Sequence, residues 1–213
     1  MNTASYIKML SRDPRRLTYK KAKTLLMVKL FAGFVLGVVL VLSALGIRPD
    51  WRDALGSVDF WLKQAFPTAV AFLAARELIR SAYPVPYGKS WFPFIFLLFV
   101  AVEVLGVWSL LNAGHGAYLG SLLGSTWRHC SYRIVWVGLP SMVLAFWAIK
   151  QLAPGDLGRA GTYAGLFGGA VGATVYALHC SEKTAPFVAV WYVVGMAVPT
   201  IVGRIVGPRV LRW

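Results

Sequence analysis

Acidic residues are scarce in this chain, and charged residues of either sign are few. Only 8 Asp and Glu occur among 213 residues, and Asp, Glu, Lys and Arg together make up 14% of the sequence. An average soluble domain carries about 25% charged residues. Hydrophobic residues account for 58% of the chain. The composition therefore argues against a soluble cytosolic enzyme.

Cysteine is also scarce, since the chain has two, and this excludes a disulfide-dense scaffold and a zinc ribbon. The 22 Lys and Arg residues leave a net charge of +14, a value that is also typical of nucleic-acid-binding proteins. Here, however, the basic residues stand between long apolar runs. The sequence therefore predicts a multi-pass membrane protein that makes no direct contact with nucleic acid.

Long apolar runs are present at regular intervals. A helix needs about 20 residues to cross roughly 30 Å of hydrocarbon, where a helix satisfies its own backbone groups. The sequence predicts an all-α polytopic membrane protein in which residues 1–24 form a tail and residues 25–213 form a domain of six transmembrane helices. The six runs are Leu25–Ile47, Phe60–Ala75, Trp91–Asn112, Tyr132–Ile149, Gly161–Leu178 and Ala185–Gly207.

The distribution of basic residues predicts the orientation of these spans. If the N-terminus is inside, 16 of the 22 Lys and Arg residues fall on the inner side. The positive-inside rule then places both termini in the cytoplasm. The six basic residues on the outer side are Arg48, Arg52, Lys63, Arg128, Arg133 and Lys183.

Both cysteines occur in the tripeptide His-Cys-Ser, at the predicted outer ends of two consecutive spans. A disulfide between Cys130 and Cys180 would require Cα atoms within about 7 Å. Alternatively, His129, Cys130, His179 and Cys180 offer ligands to zinc or to a softer metal. A cysteine at a helix end is often only a small packing residue. Because these two share one side of the membrane and one motif, we predict a functional role for the pair.

Glu103 is the one carboxylate well inside a predicted span, and an ionised group there costs about 2.5 kcal/mol or more. Lys63 and Arg133 lie at a compatible predicted depth, so an intramembrane ion pair is the simplest expectation. The alternative is a small membrane transporter or channel that uses Glu103.

The N-terminal segment carries seven Lys or Arg residues beside a single acid, Asp13. Tyr6, Ile7 and Leu10 have helical spacing, which predicts a short amphipathic helix. Such a helix would either lie on anionic lipid or fold on a cytoplasmic partner.

Several stretches resemble the NrsF-type membrane anti-sigma factors, and together they cover nearly the whole chain after residue 24. The resemblance implies a regulator of transcription in the stress response, which holds an extracytoplasmic-function (ECF) sigma factor at the inner membrane. The matching stretches are LGIRPDW (Leu45–Trp51), FWLKQAFP (Phe60–Pro67), WRHCSYRIVWVGLP (Trp127–Pro140) and the C-terminal segment Gly168–Trp213.

The resemblance also implies roles for particular residues. Cys130 and Cys180 would detect the signal, and the N-terminal segment with Tyr6, Ile7 and Leu10 would contact the sigma factor. No cofactor would be required, although a heavy metal or zinc at the cysteines is a possible ligand. The protein is expected not to be an enzyme. A membrane thiol oxidoreductase is the rival interpretation, and it would require catalytic turnover at the thiols.

Overall fold

The computed structural model describes residues 19–83, 88–113, 118–152 and 154–212, and within these ranges the chain is helical without any β-strand. A π-helical turn over Val41–Leu45 extends the first helix, and another over Val188–Tyr192 lies within the last. The all-α prediction is confirmed. The helices are α1 (Tyr19–Leu40), α2 (Trp51–Leu55), α3 (Val58–Ser81), α4 (Phe92–Asn112), α5 (Tyr118–Leu123), α6 (Trp127–Lys150), α7 (Leu157–Tyr176) and α8 (Ala185–Val210).

The six long helices coincide with the six predicted apolar runs, and each is long enough to measure about 30 Å or more at 1.5 Å per residue. The bounds differ most in α1, which begins six residues before the predicted start at Leu25, and in α3, which continues six residues beyond the predicted end at Ala75. In the part of the chain that the structure describes, four segments are both long and apolar enough to cross a membrane, namely Lys23–Leu45, Phe92–Asn112, Tyr118–Lys150 and Ala185–Val210.

The bundle is built around α7, in which 15 of 20 residues are buried. Its glycines allow close approach on two sides. A Cβ added at Gly165 would meet the backbone of Pro199 in α8, and one added at Gly172 would meet the carbonyl oxygen of Ile134 in α6. The small-residue pattern of this helix therefore packs it between α6 and α8, as helix pairs in membrane proteins commonly pack. By contrast, α4 buries only Ile95 and Gly106 and lies at the periphery.

Local sequence fixes where the helices begin and end. Ser57 accepts a hydrogen bond from the backbone N–H of Phe60 and caps α3, and Asp156 does the same for Arg159 in α7. Pro93 stands in the first turn of α4, where its missing N–H costs nothing. Gly46 ends the π-helical extension of α1 with a φ of 75°, a conformation that favours glycine.

Consecutive long helices run in opposite directions, so the bundle has two distinct ends. At one end the beginning of α3 meets the end of α7, through the side chain of Gln64 and the carbonyl oxygen of Thr174. We call this the thiol end, because both cysteines lie there. At the other end, Glu77 near the end of α3 contacts Trp91 before α4. We call this the basic end.

Candidate functional site

The structure brings the two cysteines together at the thiol end. Cys130 lies in the first turn of α6, and Cys180 lies in the segment 177–184 that joins α7 to α8, here called the thiol loop. Both side chains are free thiols and buried, with 0% and 2% exposure. The thiol of Cys130 forms a hydrogen bond to the sulfur of Cys180. The two sulfur atoms are therefore positioned to react with one another or to share a ligand.

Lys63 in α3 supplies a buried cation beside this pair. Its Nζ donates to the carbonyl oxygen of Cys180 at 2.9 Å and to that of Glu182 at 2.7 Å. The side chain is only 4% exposed, and Nζ lies 5.2 Å from the centre of the Tyr192 ring. Lys63 thus fixes the backbone of the thiol loop on both sides of residue 181.

Arg48 closes the thiol loop from the side of α1. Its backbone N–H donates to the carbonyl oxygen of Leu178 at 3.2 Å, and its Nη1 donates to that of Cys180 at 3.5 Å. The same guanidinium binds Asp50 through Nε and Nη2 at 2.7 and 2.6 Å. This pairing lowers the pKa of Asp50 to about 2. Arg48 is 2% exposed, so the segment after α1 covers the thiols from solvent.

The surroundings of Cys180 lower the pKa of its thiol below the ordinary value. The largest cause is the hydrogen bond from Cys130, and the positive charge of Lys63 and the backbone N–H of Glu182 act in the same direction against the effect of burial. Since the thiolate is the form that attacks electrophiles and binds metals, Cys180 is the more reactive member of the pair at neutral pH.

The two histidines do not complete a metal site with the cysteines. His129 is exposed, because neighbouring residues of a helix point about 100° apart and Cys130 faces inward. His179 instead contacts the carbonyl oxygen of Gly46 through Nδ1 at 3.0 Å and Arg133 Nη1 through Nε2 at 3.2 Å. A carbonyl only accepts and a guanidinium only donates, so the proton of neutral His179 lies on Nδ1.

Within the described parts of the chain, no three His, Cys, Asp or Glu side chains are grouped in a way that would hold a metal ion. The four-ligand set of His129, Cys130, His179 and Cys180 expected from the sequence is therefore not assembled. A metal at this site would be held by the two sulfur atoms.

The structure also does not form the ion pair expected for Glu103. This residue lies on the exposed face of the peripheral helix α4. Lys63 is directed to the carbonyl oxygens of the thiol loop, and Arg133 contacts His179. The two cations therefore stabilise the thiol end.

A second set of contacts ties the thiol loop to the segment between α5 and α6. One carboxylate oxygen of Glu182 accepts from both the backbone N–H and the hydroxyl of Ser125, at 2.7 and 2.6 Å. The hydroxyl of Thr184 donates to the carbonyl oxygen of Ser121 at 2.8 Å. The thiol loop is thus held by α3, by the segment after α1 and by the segment before α6.

Sequence reasoning missed Arg48 and Glu182, because both lie in short connections where nothing local indicates that their side chains bind distant segments. It also missed Glu77 at the basic end, which is completely buried. Glu77 accepts from the backbone N–H of Trp91 at 2.7 Å and pairs with Arg80 at 3.0 Å. The spacing of three residues between Glu77 and Arg80 could have indicated an ion pair on one helix face.

The candidate sigma-factor contacts Tyr6, Ile7 and Leu10 lie outside the described residues, so their placement stays a prediction. The helix that follows them begins at Tyr19, within the segment 1–24 that the sequence assigned to the tail.

Comparison with known proteins identifies the family. The family model described as "NrsF: Negative regulator of sigma F" matches residues 10–213. The chain is 34% identical over 214 residues to "Anti-sigma-F factor NrsF" of Caulobacter vibrioides (strain NA1000 / CB15N), with 100% of both chains covered. It is also 34% identical over 180 residues to "Probable anti-sigma-F factor NrsF" of Azospira oryzae (strain ATCC BAA-33 / DSM 13638 / PS), with 82% of each covered. No solved structure matches the chain. The protein belongs to the NrsF family of negative regulators of sigma F.

Proposed function

We propose that this protein is a multi-pass anti-sigma factor of the bacterial inner membrane, which holds an ECF sigma factor and releases it when Cys130 and Cys180 become linked. The link is either a disulfide or a soft metal ion bound by both sulfur atoms. The relatives are named as anti-sigma factors, which supports the regulatory role. The observation that carries the sensing role is the pair of free, buried thiols that α6 and the thiol loop bring together.

In this proposal all six long helices cross the membrane, and both termini are cytoplasmic. Four segments have the length and hydropathy of spans. Helices α3 and α7 have comparable lengths, and α7 is mostly covered by the other helices rather than exposed to lipid. The polar groups of α3 have protein partners, since Lys63 binds carbonyl oxygens and Glu77 binds Arg80. Ionisable residues inside a membrane protein usually pair with one another or with backbone carbonyl oxygens.

The chemistry of the signal follows from the two thiols. Disulfide formation removes two electrons from the two sulfur atoms together with the proton of the Cys130 thiol, Cys180 reacting as the thiolate, and an oxidised dithiol or a quinone-linked oxidant would accept the electrons. A thiophilic cation such as Cd²⁺ would instead displace the proton of Cys130 and bind both sulfur atoms. Zinc would bind the same pair. Either reaction replaces a hydrogen bond with a tighter link between α6 and the thiol loop.

Helix α6 connects the thiols to the tail. Cys130 lies near its beginning, and Ser141 in the same helix packs against Gly33 of α1, where an added Cβ would lie 2.7 Å from the Cα of Ser141. Helix α1 follows the N-terminal segment that would hold the sigma factor. A shift of α6 would therefore reach the tail through α1. Converting a 1:99 population to 99:1 takes about 5.5 kcal/mol, which is within the range of metal-binding free energies.

Co-purification from membranes tests the proposal. The wild-type protein is expected to retain a sigma factor and to lose it after treatment with Cd²⁺ or a thiol oxidant. The Cys130→Ser/Cys180→Ser variant is expected to retain the sigma factor under both treatments. His129→Ala is the matched control, because His129 is exposed next to Cys130, and it should behave as the wild type. Failure to recover any sigma factor with the untreated wild type would contradict the proposal.

A further inference from the structure

A groove opens between α1 and α3 at the basic end, with a volume of about 410 Å³. Four basic side chains surround its mouth, and apolar side chains form its floor. The mouth is far from the thiols, because α3 carries Lys63 near its beginning and these basic residues near its end. The residues that define the mouth are Lys23, Arg76, Arg80 and Lys89, with Met27 and Phe72 beneath them.

The positive charge of this mouth is largely uncompensated. Arg80 pairs with the buried carboxylate of Glu77 at 3.0 Å. The same carboxylate also accepts from the backbone N–H of Trp91, so its oxygens are already engaged inside the protein. Arg76 lies 4.2 Å from the centre of the Trp91 ring, which orients the guanidinium without neutralising it. Arg76, Lys23 and Lys89 are all exposed. Among the residues that the structure describes, no carboxylate forms an ion pair with Lys23, Arg76 or Lys89, so the mouth offers about three positive charges to a ligand.

The groove continues from this mouth into an apolar channel of about 300 Å³ between the same two helices. Met27, Phe72 and Ala75 line both parts, so the two volumes lie next to one another. Phe31 and Phe34 of α1 extend the channel, and Phe167 of α7 lies along it. Phe72 and Phe31 are 69% and 67% exposed, although both belong to long helices of the bundle. An apolar ligand of extended shape would cover these aromatic rings.

We propose that an anionic phospholipid occupies this groove, with its phosphate at the basic mouth and an acyl chain along the apolar channel. The inference rests on the proposed membrane location but concerns a site that the sensing mechanism does not use. An acidic protein segment or free phosphate would satisfy the basic mouth alone. A diacyl lipid with an anionic headgroup matches both the basic mouth and the apolar channel. Basic pockets between membrane helices commonly bind such headgroups. The bound lipid would join α1 to α3 at the end of α1 that leads to the tail.

Native mass spectrometry of the full-length protein, released from nanodiscs that contain phosphatidylcholine with phosphatidylglycerol or cardiolipin, tests this proposal. The wild type is expected to retain phosphatidylglycerol or cardiolipin in preference to phosphatidylcholine. In Arg76→Gln/Lys89→Gln each lost cation should weaken retention about fivefold, which corresponds to about 1 kcal/mol. Arg80 is left unchanged because it pairs with Glu77.

The matched control is Arg204→Gln/Arg209→Gln. It removes two exposed cations from the C-terminal part of α8, towards the same end of the bundle and outside the groove, and it should retain lipid as the wild type does. Ala75→Phe fills the junction of the two volumes and should weaken retention while all four cations remain. Its folding is checked by the thermal transition in phosphatidylcholine alone.

Three outcomes would overturn the lipid proposal. The first is undiminished lipid retention by Arg76→Gln/Lys89→Gln, and the second is an equal loss in the α8 control. The third is a variant at the mouth that keeps its lipid but no longer retains the sigma factor, because the mouth would then be a protein docking site. Lipid retention by a wild-type protein that recovers no sigma factor would contradict the proposed function and leave the lipid site supported.

Discussion

The ammonium group of Lys63 lies 2.9 Å from the carbonyl oxygen of Cys180, so a cation that is almost completely buried stands beside one of the two buried thiols. The same group binds the carbonyl oxygen of Glu182. Lys63 therefore has two effects that experiments can separate. It holds the backbone of the thiol loop in place, and its charge favours the thiolate of Cys180.

Lys63→Met tests the first effect, since it preserves most of the side-chain volume and removes the donor. Two backbone carbonyls lose a charged partner, and leaving a buried acceptor unpaired costs about 1–3 kcal/mol. We expect a lower thermal transition in detergent and faster alkylation of Cys180 in the reduced protein at about pH 9, where an ordinary thiol is already largely ionised and the loss of the Lys63 charge matters least. Lys183→Met is the control, because Lys183 lies in the same loop and is exposed. Equal alkylation rates in the two variants would show that Lys63 does not hold the loop.

The pH dependence of Cys180 reactivity tests the lowered pKa. Because the pKa is lowered, the sulfur of Cys180 stays ionised at pH values where an ordinary thiol carries a proton, and it gains a proton only as the pH falls through the lowered pKa. Alkylation of wild-type Cys180, followed by mass spectrometry between pH 4 and 9, should therefore decline at a pH well below the ordinary thiol value of about 8.5. Cys130→Ala removes the hydrogen bond that contributes most, so the inflection should move upward towards the ordinary thiol value of about 8.5.

Cys130→Ser is the matched control for this pH profile, because its hydroxyl still provides a hydrogen-bond donor at the same position. The alkylation of Cys180 should therefore have its inflection at a lower pH in Cys130→Ser than in Cys130→Ala. An inflection near 8.5 in the wild type would contradict the proposed environment of Cys180.

The sequence predicted the helices well because hydropathy is a local property, whereas the surroundings of the thiols depend on contacts between distant segments. His129 and His179 occupy the same tripeptide, yet one is exposed on α6 and the other binds Gly46 and Arg133. The exposure of His129 was predictable, since a helix that buries Cys130 must turn the neighbouring side chain away. The contacts of His179 were not predictable, because they depend on how the segment after α1 folds over the thiol loop.

Glu77 illustrates the same limit at the basic end. The apolar run ends at Ala75, so counting hydrophobic residues places Glu77 in a loop. The helix continues to Ser81, and the carboxylate is buried against Arg80 and the backbone of Trp91. Trp91 lies 14 residues further along the chain, so the helical or strand spacing of the sequence does not predict its contact with Glu77.

Gly165→Ala tests the packing of α7 against α8. A methyl group at this position would meet the carbonyl oxygen of Pro199, a backbone atom that cannot move without shifting α8. Overpacking of this kind costs about 1–3 kcal/mol, so we expect a lower thermal transition and a lower yield of folded protein. Gly120→Ala is the control, because its added Cβ would meet no atom within 4 Å and alanine favours helix. A Gly165→Ala variant as stable as Gly120→Ala would mean that the two helices are further apart than described here.

Glu103→Gln separates the anti-sigma function from transport. Glu103 lies on the exposed face of α4, and the structure forms no ion pair between it and Lys63 or Arg133. Replacing the carboxylate with a neutral amide of the same shape removes the cost of placing a charge at membrane depth and breaks no contact within the bundle. We therefore expect unchanged or slightly higher thermal stability and unchanged sigma-dependent transcription, measured with a reporter before and after Cd²⁺ treatment. Lys63→Met, measured in parallel, should alter the response to Cd²⁺, because it changes the thiol loop directly. If Glu103→Gln instead abolished a solute or ion flux in proteoliposomes while the reporter stayed unchanged, the exposed carboxylate would have a transport role that the thiol site does not explain.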